Sequence, residues 1–233
     1  MAKKQFFLII DTETTIDSTV YDFGAAVVDR KGNIYHECAI IVAEEMSKEL
    51  FYDKNSSAEI WTLRGLARRK ANYQKMLDSG TRSVASRNAV NRWLEKVAAK
   101  YSPELTAYNL AFDIDKMNNT GIDTAMFSSR FCLWHAAAGM FAHTKEYKRF
   151  ILQNHLFNPP TDKGNMSFKT NAEVMASFLN GSMLPPEPHT AIEDAKFYEL
   201  PILKEIVKRK AWREKIKPYS WHDYQVKNHY SAK

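Results

Sequence analysis

"FFLIIDTETT", residues 6–15, runs five apolar residues into a carboxylate and, one residue further on, into another. A continuous apolar run is the pattern of a central strand covered on both faces. In an extended chain alternate side chains share a face, so Asp11 and Glu13 aim the same way. Two like charges at that spacing repel, and a buried carboxylate without a partner is costly. Either a cation compensates the pair or both groups lie in water.

Two more β-rich runs follow, "VYDFGAAVVD" (20–29) and "IYHECAIIV" (34–42), separated by the turn signal "DRKGN" (29–33). Three strands with short connections predict an antiparallel meander. Ser56 with Glu59 has the form of a capping box and predicts a helix through Ile60, Leu63 and Ala67. Val90, Trp93, Leu94, Val97 and Tyr101 recur at helical spacing, and Pro103 ends that helix. "LTAYN" (105–109) reads as a short strand, "FDIDKM" (112–117) as helical, and "SSRFCLWHA" (128–136) as a last strand. Residues 141–166, with Pro159, Pro160 and Gly164, read as an exposed loop or insertion. "NAEVMASFL" (171–179) predicts a short helix. A longer helical pattern runs from after "PPEP" (185–188) to about Lys215, with Pro201 expected to kink it. The whole predicts an α/β domain over residues 1–210, its mixed sheet flanked by helices. Residues 211–233 form a basic, aromatic tail packed on that domain or extending from it.

The bulk numbers agree with one such domain. The chain has 233 residues, 45% of them hydrophobic and 12% aromatic, enough to bury a core. A net charge of +6 suits a polyanionic partner. Cys38 and Cys132 alone give no disulfide framework and point to a reducing compartment. Cys132 and His135 are spaced like half a zinc site, but no second pair accompanies them, so they read as a buried thiol and a core histidine. The apolar run before Asp11 is too short for a signal core or a membrane span. A soluble, cytoplasmic protein is expected.

"HTAIEDA" (189–195) carries the next chemistry. Thr190 followed by Glu193 again has the capping-box pattern, so the helix should begin at Ala191. His189 then lies in a mobile loop just after Pro188, while Asp194 is fixed on the first helical turns. A movable histidine beside a rigid carboxylate suits a base that approaches a water and withdraws. "AYNLAFDIDKM" (107–117) places Asp113 where a strand turns into a helix. Asp115, about 200° round that helix, should face elsewhere, and Asp17 and Asp22 read as solvated or structural.

These three stretches together resemble the motifs of the DEDD superfamily of 3′→5′ exonucleases, the DnaQ-like family, in its histidine subclass. "DTETT" looks like the first motif, "NLAFD" like the second and "HTAIEDA" like the third, and the resemblance spans about Phe6 to Lys208. It implies a ribonuclease H-like fold, a mixed five-stranded sheet with an antiparallel meander and parallel strands. It implies that Asp11, Glu13, Asp113 and Asp194 hold two divalent ions, Mg²⁺ or Mn²⁺, which would neutralise the carboxylate pair. His189 would be the general base, its ordinary pKa of roughly 6.5 suiting neutral pH. Thr14, Asn109 and Phe112 would contact substrate. Tyr108 departs from the family, many members having histidine there.

The implied activity is metal-dependent hydrolysis of single-stranded nucleic acid from its 3′ end to nucleoside 5′-monophosphates, DNA being slightly favoured. The rival readings are an exoribonuclease or oligoribonuclease, a ribonuclease H-like endonuclease, and a non-catalytic binding module. A homodimer or a polymerase partner is left open, and no membrane is expected. Three basic clusters could carry the strand: Arg64, Arg68, Arg69 and Lys70; Lys145, Lys148 and Arg149; and Lys204 to Lys217 with Trp212, Tyr219, Trp221, Tyr224 and Tyr230. The second of these is favoured because it lies in the unmatched 141–166 segment. The tail aromatics could equally pack against the domain.

Overall fold

The computed structural model describes residues 4–218 and 220–226. Its centre is a six-stranded sheet of strand order β4-β3-β2-β1-β5-β6. Strands β1 (Phe6–Thr14), β2 (Val20–Asp29) and β3 (Ile34–Val42) form the antiparallel meander. β5 (Glu104–Ala107) runs parallel to β1, β6 (Arg130–Cys132) parallel to β5, and β4 (Ser83–Ala85) parallel to β3. The α/β class and the mixed sheet are as the sequence implies. A sixth strand appears where five were expected, because the three residues of β4 are too short to show a period of their own.

β1 lies between β2 and β5 and is covered on both sides, so Phe7, Leu8, Ile9 and Ile10 have no exposed surface. Phe7 and Ile9 face one core with α4 (Leu133–Ala137), α6 (Ala172–Asn180) and α8 (Leu200–Val207). Leu8 and Ile10 face the other, with α2 (Arg87–Tyr101) and α3 (Leu110–Thr120). The α2 residues Val90, Leu94 and Val97 are buried there as their spacing requires, with Trp93 and Tyr101 packed alongside. Strand pairing continues past Ile10, with Asp11 opposite Gly24 and Glu13 opposite Asp22, until the register shifts between Glu13 and Thr14. The acids therefore stand on ordered strand, just before an irregularity of the kind that re-aims side chains beside functional sites.

Several elements differ from expectation. Ser56 starts no long helix; its hydroxyl accepts only the Ala58 N–H, and a 3₁₀ turn (Glu59–Trp61) follows. α1 (Leu63–Asp78) is capped by Thr62, whose hydroxyl accepts the Gly65 N–H, and its buried face is Gly65, Leu66, Arg69 and Tyr73, leaving Leu63 exposed. The 141–166 segment is no simple loop: Thr144 caps α5 (Lys145–Gln153), an amphipathic helix that buries Tyr147 and Ile151. Its short run of periodic residues between turn-rich flanks had hidden it. Leu133 onwards is helix, so "SSRFCLWHA" gives a strand of three residues only.

The last helical pattern also breaks up. α7 (Ala191–Asp194) continues through a π-helical stretch (Ala195–Glu199) into α8, with Pro201 at the start of α8, and the run ends at Val207. A separate 3₁₀ turn (Trp212–Lys215) follows. Trp212 is completely buried against Phe7 and Phe131, and Tyr224 is nearly so, which removes both as open stacking surfaces. Tyr219, Tyr230 and the Trp221 side chain lie outside the described residues. No helix among the described residues is long and apolar enough to cross a membrane.

Candidate active site

Asp11 and Glu13 project from β1 on the side of Phe7 and Ile9, towards α7. What brings α7 so close is a glycine. A Cβ on Gly24 would stand 2.3 Å from the Ile192 nitrogen and 2.4 Å from the Ala191 carbonyl carbon. The start of α7 thus lies directly on β2 at the residue paired with Asp11.

Asp22, two residues earlier in β2, locks this arrangement. Its Oδ2 accepts the Ala191 N–H at 3.0 Å and the Tyr73 hydroxyl at 3.2 Å. Arg82 donates to both Asp22 oxygens, at 2.9 and 3.1 Å, and also grips the Glu193 carboxylate. Arg82 and Asp22 are fully buried. The structural reading of Asp22 is therefore the one observed. Glu193, expected to close a capping box, faces Arg82 instead, while the Thr190 N–H is accepted by Asp194 Oδ2 at 3.0 Å.

That bond aims Asp194 back at the residue before the helix. His189 has φ of 53°, a left-handed conformation that few non-glycine residues adopt and one associated with strained functional positions. Its ring packs on Trp61 with centroids 4.5 Å apart, and its Nδ1 lies 3.9 Å from Glu13 Oε1. The histidine is not a free loop residue; it is held between an indole and a carboxylate. Ligand atoms of Glu13, His189 and Asp194 all lie within 4.8 Å of one another. Burial, then the Arg69 guanidinium, push the His189 pKa down to about 4, well below its ordinary value.

Asp113 comes from the other side of the sheet. Thr12, on the face opposite Asp11, donates its hydroxyl to Asp113 Oδ1 at 2.9 Å. Asn109 begins α3 in a left-handed conformation, φ 76°, which asparagine tolerates and which turns the chain from β5 into the helix. Asp115 points outward and pairs with Lys116. The site thus straddles the carboxyl ends of two neighbouring parallel strands, β1 and β5, where open α/β sheets bind ligands.

The electrostatics are those of a site short of positive charge. Burial raises Glu13 to about 8, with Asp22 the next cause. Burial lifts Asp113 to about 7. Burial and then Glu13 lift Asp194 to about 9, and its Oδ1 is buried with no hydrogen-bond partner among the described residues. Asp11 is pushed well above the carboxylate range by burial and then by Glu199, Asp194, Asp113 and Glu13. A cluster of hard oxygen donors with one buried oxygen unsatisfied fits divalent cations such as Mg²⁺ or Mn²⁺.

Beside the acids opens a cavity of about 380 Å³. Thr14, Asn109 and Phe112 line it, and Phe112 is 43% exposed. Phe51, Trp61 and Tyr108 add ring surface, and Tyr108 is fixed by its hydroxyl's bond to the Thr170 carbonyl. A second cavity of about 360 Å³, lined by Ile60 and Pro188, the residues just before Trp61 and His189, carries Arg68, Arg69 and Lys75. The favoured cluster Lys145, Lys148 and Arg149 lines neither cavity; the basic groups that do are Lys116 of α3 and Arg68, Arg69 and Lys75 of α1.

Sequence reasoning missed Thr12, Trp61, Lys116 and Glu199. Lys116 could have been found, since it stands one helical turn beyond Asp113 and Phe112 and shares their face. Thr12, Trp61 and Glu199 carry no local signal, because contacts across the sheet put them there.

No family model and no curated protein matches the sequence. Among solved structures, the chain resembles E. coli exonuclease I in complex with a 5cy-dT13 oligonucleotide at 16% identity and a TM-score of 0.47, over 89% of this chain and 41% of that one. It resembles exonuclease I in complex with the inhibitor BCBP at 14% identity and a TM-score of 0.44, over 89% and 42%. For a product-bound exonuclease I the values are 15% and 0.45, over 88% and 43%. The chain therefore spans about two fifths of the length of the exonuclease I chains it matches.

Proposed function

We propose that the protein is a metal-dependent nuclease of the DnaQ-like, ribonuclease H-like type, acting as a 3′→5′ exonuclease on single-stranded nucleic acid. The observation that carries this reading is the meeting of Glu13, His189 and Asp194 within 4.8 Å, beside a cavity that Asp11 and Asp113 also line. Three separate stretches of sequence supply these groups.

Asp11, Glu13, Asp113 and Asp194 are the residues that would hold two divalent ions. Such ions, when bound, would neutralise the carboxylates and stabilise charge on the attacking and leaving oxygens of a phosphodiester. Thr12 orients Asp113, and the Thr190 N–H orients Asp194. His189, neutral at pH 7, takes the proton from the attacking water, its ring held in place by Trp61. The exposed ring of Phe112 and the neighbouring Trp61 and Phe51 offer faces to the terminal base. Asn109 and Thr14 offer polar contacts to its sugar and phosphate. The released product is then a nucleoside 5′-monophosphate.

The test is one panel of end-labelled single-stranded DNA and RNA oligonucleotides with Mg²⁺, Mn²⁺ or EDTA, using the wild-type chain, Asp11→Asn and Asp194→Asn. Stepwise loss of mononucleotides from the 3′ end, abolished by chelator and by either substitution, is the expected result. Internal cuts, or full activity in either variant, would overturn it. The DNA and RNA arms determine which sugar the cavity accepts.

A further inference from the structure

Behind the four acids stands a carboxylate that none of the motifs contains. Glu199 closes the π-helical stretch five residues after Asp194 and is 2% exposed. In a regular α-helix it would stand about 140° round from Asp194. The i→i+5 bonding of the π stretch widens the turn and carries Glu199 back towards the Asp194 side, and π-bulges recur at functional sites. The π stretch itself packs against β1 and β2.

The two oxygens of Glu199 have different fates. Oε1 accepts the Tyr108 N–H at 2.9 Å, which ties it to the turn that leads through Asn109 into α3 and Asp113. Oε2 is buried and has no hydrogen-bond partner among the described residues. Burial and then the negative charge of Asp113, joined by Glu187 and Asp194, push the Glu199 carboxyl well above its ordinary range. After burial itself, the influence of Glu199 on Asp11 exceeds that of any other carboxylate. A buried carboxylate with an unpartnered oxygen among other carboxylates is strongly disfavoured unless a cation joins it. Among the described residues three buried side-chain oxygens lack partners, Thr190 Oγ1, Asp194 Oδ1 and Glu199 Oε2, and the two carboxylate oxygens belong to this one group of acids.

We propose that Glu199 is a fifth carboxylate of the cation centre, adding its charge to the site formed by Asp11, Glu13, Asp113 and Asp194 while pinning the turn that bears Asp113. The proposal rests on the reading of that site as a divalent-cation centre. It assigns Glu199 a role through the bound cations and gives it no contact with substrate.

Glu199→Gln separates charge from structure, since the amide oxygen still accepts the Tyr108 N–H. Mn²⁺ is titrated calorimetrically into the wild-type chain, Glu199→Gln and a half-buried control that lines no part of the site, Glu205→Gln, and separate samples of each are melted in EDTA. Expected are a Kd for Mn²⁺ roughly 10- to 100-fold weaker in Glu199→Gln, an unchanged Kd in Glu205→Gln, and a higher melting temperature of Glu199→Gln in EDTA. Mn²⁺ binding by Glu199→Gln within threefold of wild type would overturn the inference while leaving the cation centre intact. Wild-type protein that binds no Mn²⁺ would instead overturn the proposed function. Glu199→Met, which lacks both the charge and the acceptor, carries the same comparison if the amide variant does not fold.

Discussion

Gly24 in β2 and Ile192 in α7 approach so closely that a Cβ on the glycine would stand 2.3 Å from the Ile192 nitrogen. Backbone is all that the glycine can meet there, so no side chain can rotate away to make room. The contact sets the height of α7 above the sheet, and with it the positions of His189 and Asp194 relative to Glu13. Gly24→Ala should displace α7 and destabilise the fold by about 1–3 kcal/mol, as overpacking does. Urea denaturation measures the loss, and hydrolysis should fall by more than the unfolded fraction explains. A variant with wild-type stability and rate would show that α7 is not set by this contact.

Arg82 holds the same element by charge. Arg82→Met would leave Asp22 buried without its guanidinium, which costs about 3–5 kcal/mol when one partner of a buried pair is removed. Asp22→Asn added to Arg82→Met should recover part of that loss, because the remaining amide carries no charge. Chemical denaturation of the two single variants and the double variant forms the cycle. Strict additivity would mean that the pair is not coupled.

His189→Ala should slow hydrolysis by ~10²–10⁴-fold if the imidazole is the general base. Burial and the neighbouring Arg69 guanidinium hold its pKa at about 4, so the ring is neutral throughout the neutral range. Losing a proton at low pH makes it a base, and therefore the wild-type rate should show no inflection from His189 between pH 6 and pH 8. A His189-dependent inflection near 6.5 in kcat/KM would mean that the ring is far better solvated than its place beside Trp61 allows.

Divalent cations should stabilise the protein, and more so at higher pH. In the cation-free protein burial raises Glu13 to about 8 and Asp113 to about 7, and burial with Glu13 raises Asp194 to about 9. Carboxylates in the unfolded chain titrate near 4. Between those values the folded state binds more protons, so the stability from these groups is fully present below about pH 4 and is lost as pH rises through 7 to 9. Bound cations remove that loss, and at a hundredfold excess over Kd they add about 2.7 kcal/mol. Melting in Mg²⁺ against EDTA at pH 6 and pH 8.5 should give the larger difference at pH 8.5. Equal differences would show that the acids do not share one cation centre.

Local pattern was enough for much of this molecule. The five apolar residues before Asp11 read as a central strand because burial on both faces leaves no room for alternation. The spacing of Val90, Leu94 and Val97 read as a helix because 3.6 residues per turn is a property of the backbone alone. The three acidic stretches were legible for the same reason: each sits at the end of an element that its own residues define. By itself, then, the sequence determined the central strand, the meander, the α2 face and which carboxylates deserved attention.

Only the tertiary structure decided how those carboxylates meet. Gly24 matters because α7 lies across it, Thr12 because α3 crosses the opposite face of β1, and Trp61 because a 3₁₀ turn before α1 carries it beside His189. Glu199 is turned towards the acids by a π-helical stretch that no spacing rule anticipates. Each of these depends on contacts between residues far apart in the chain, and a periodicity confined to one segment holds no information about what packs against it.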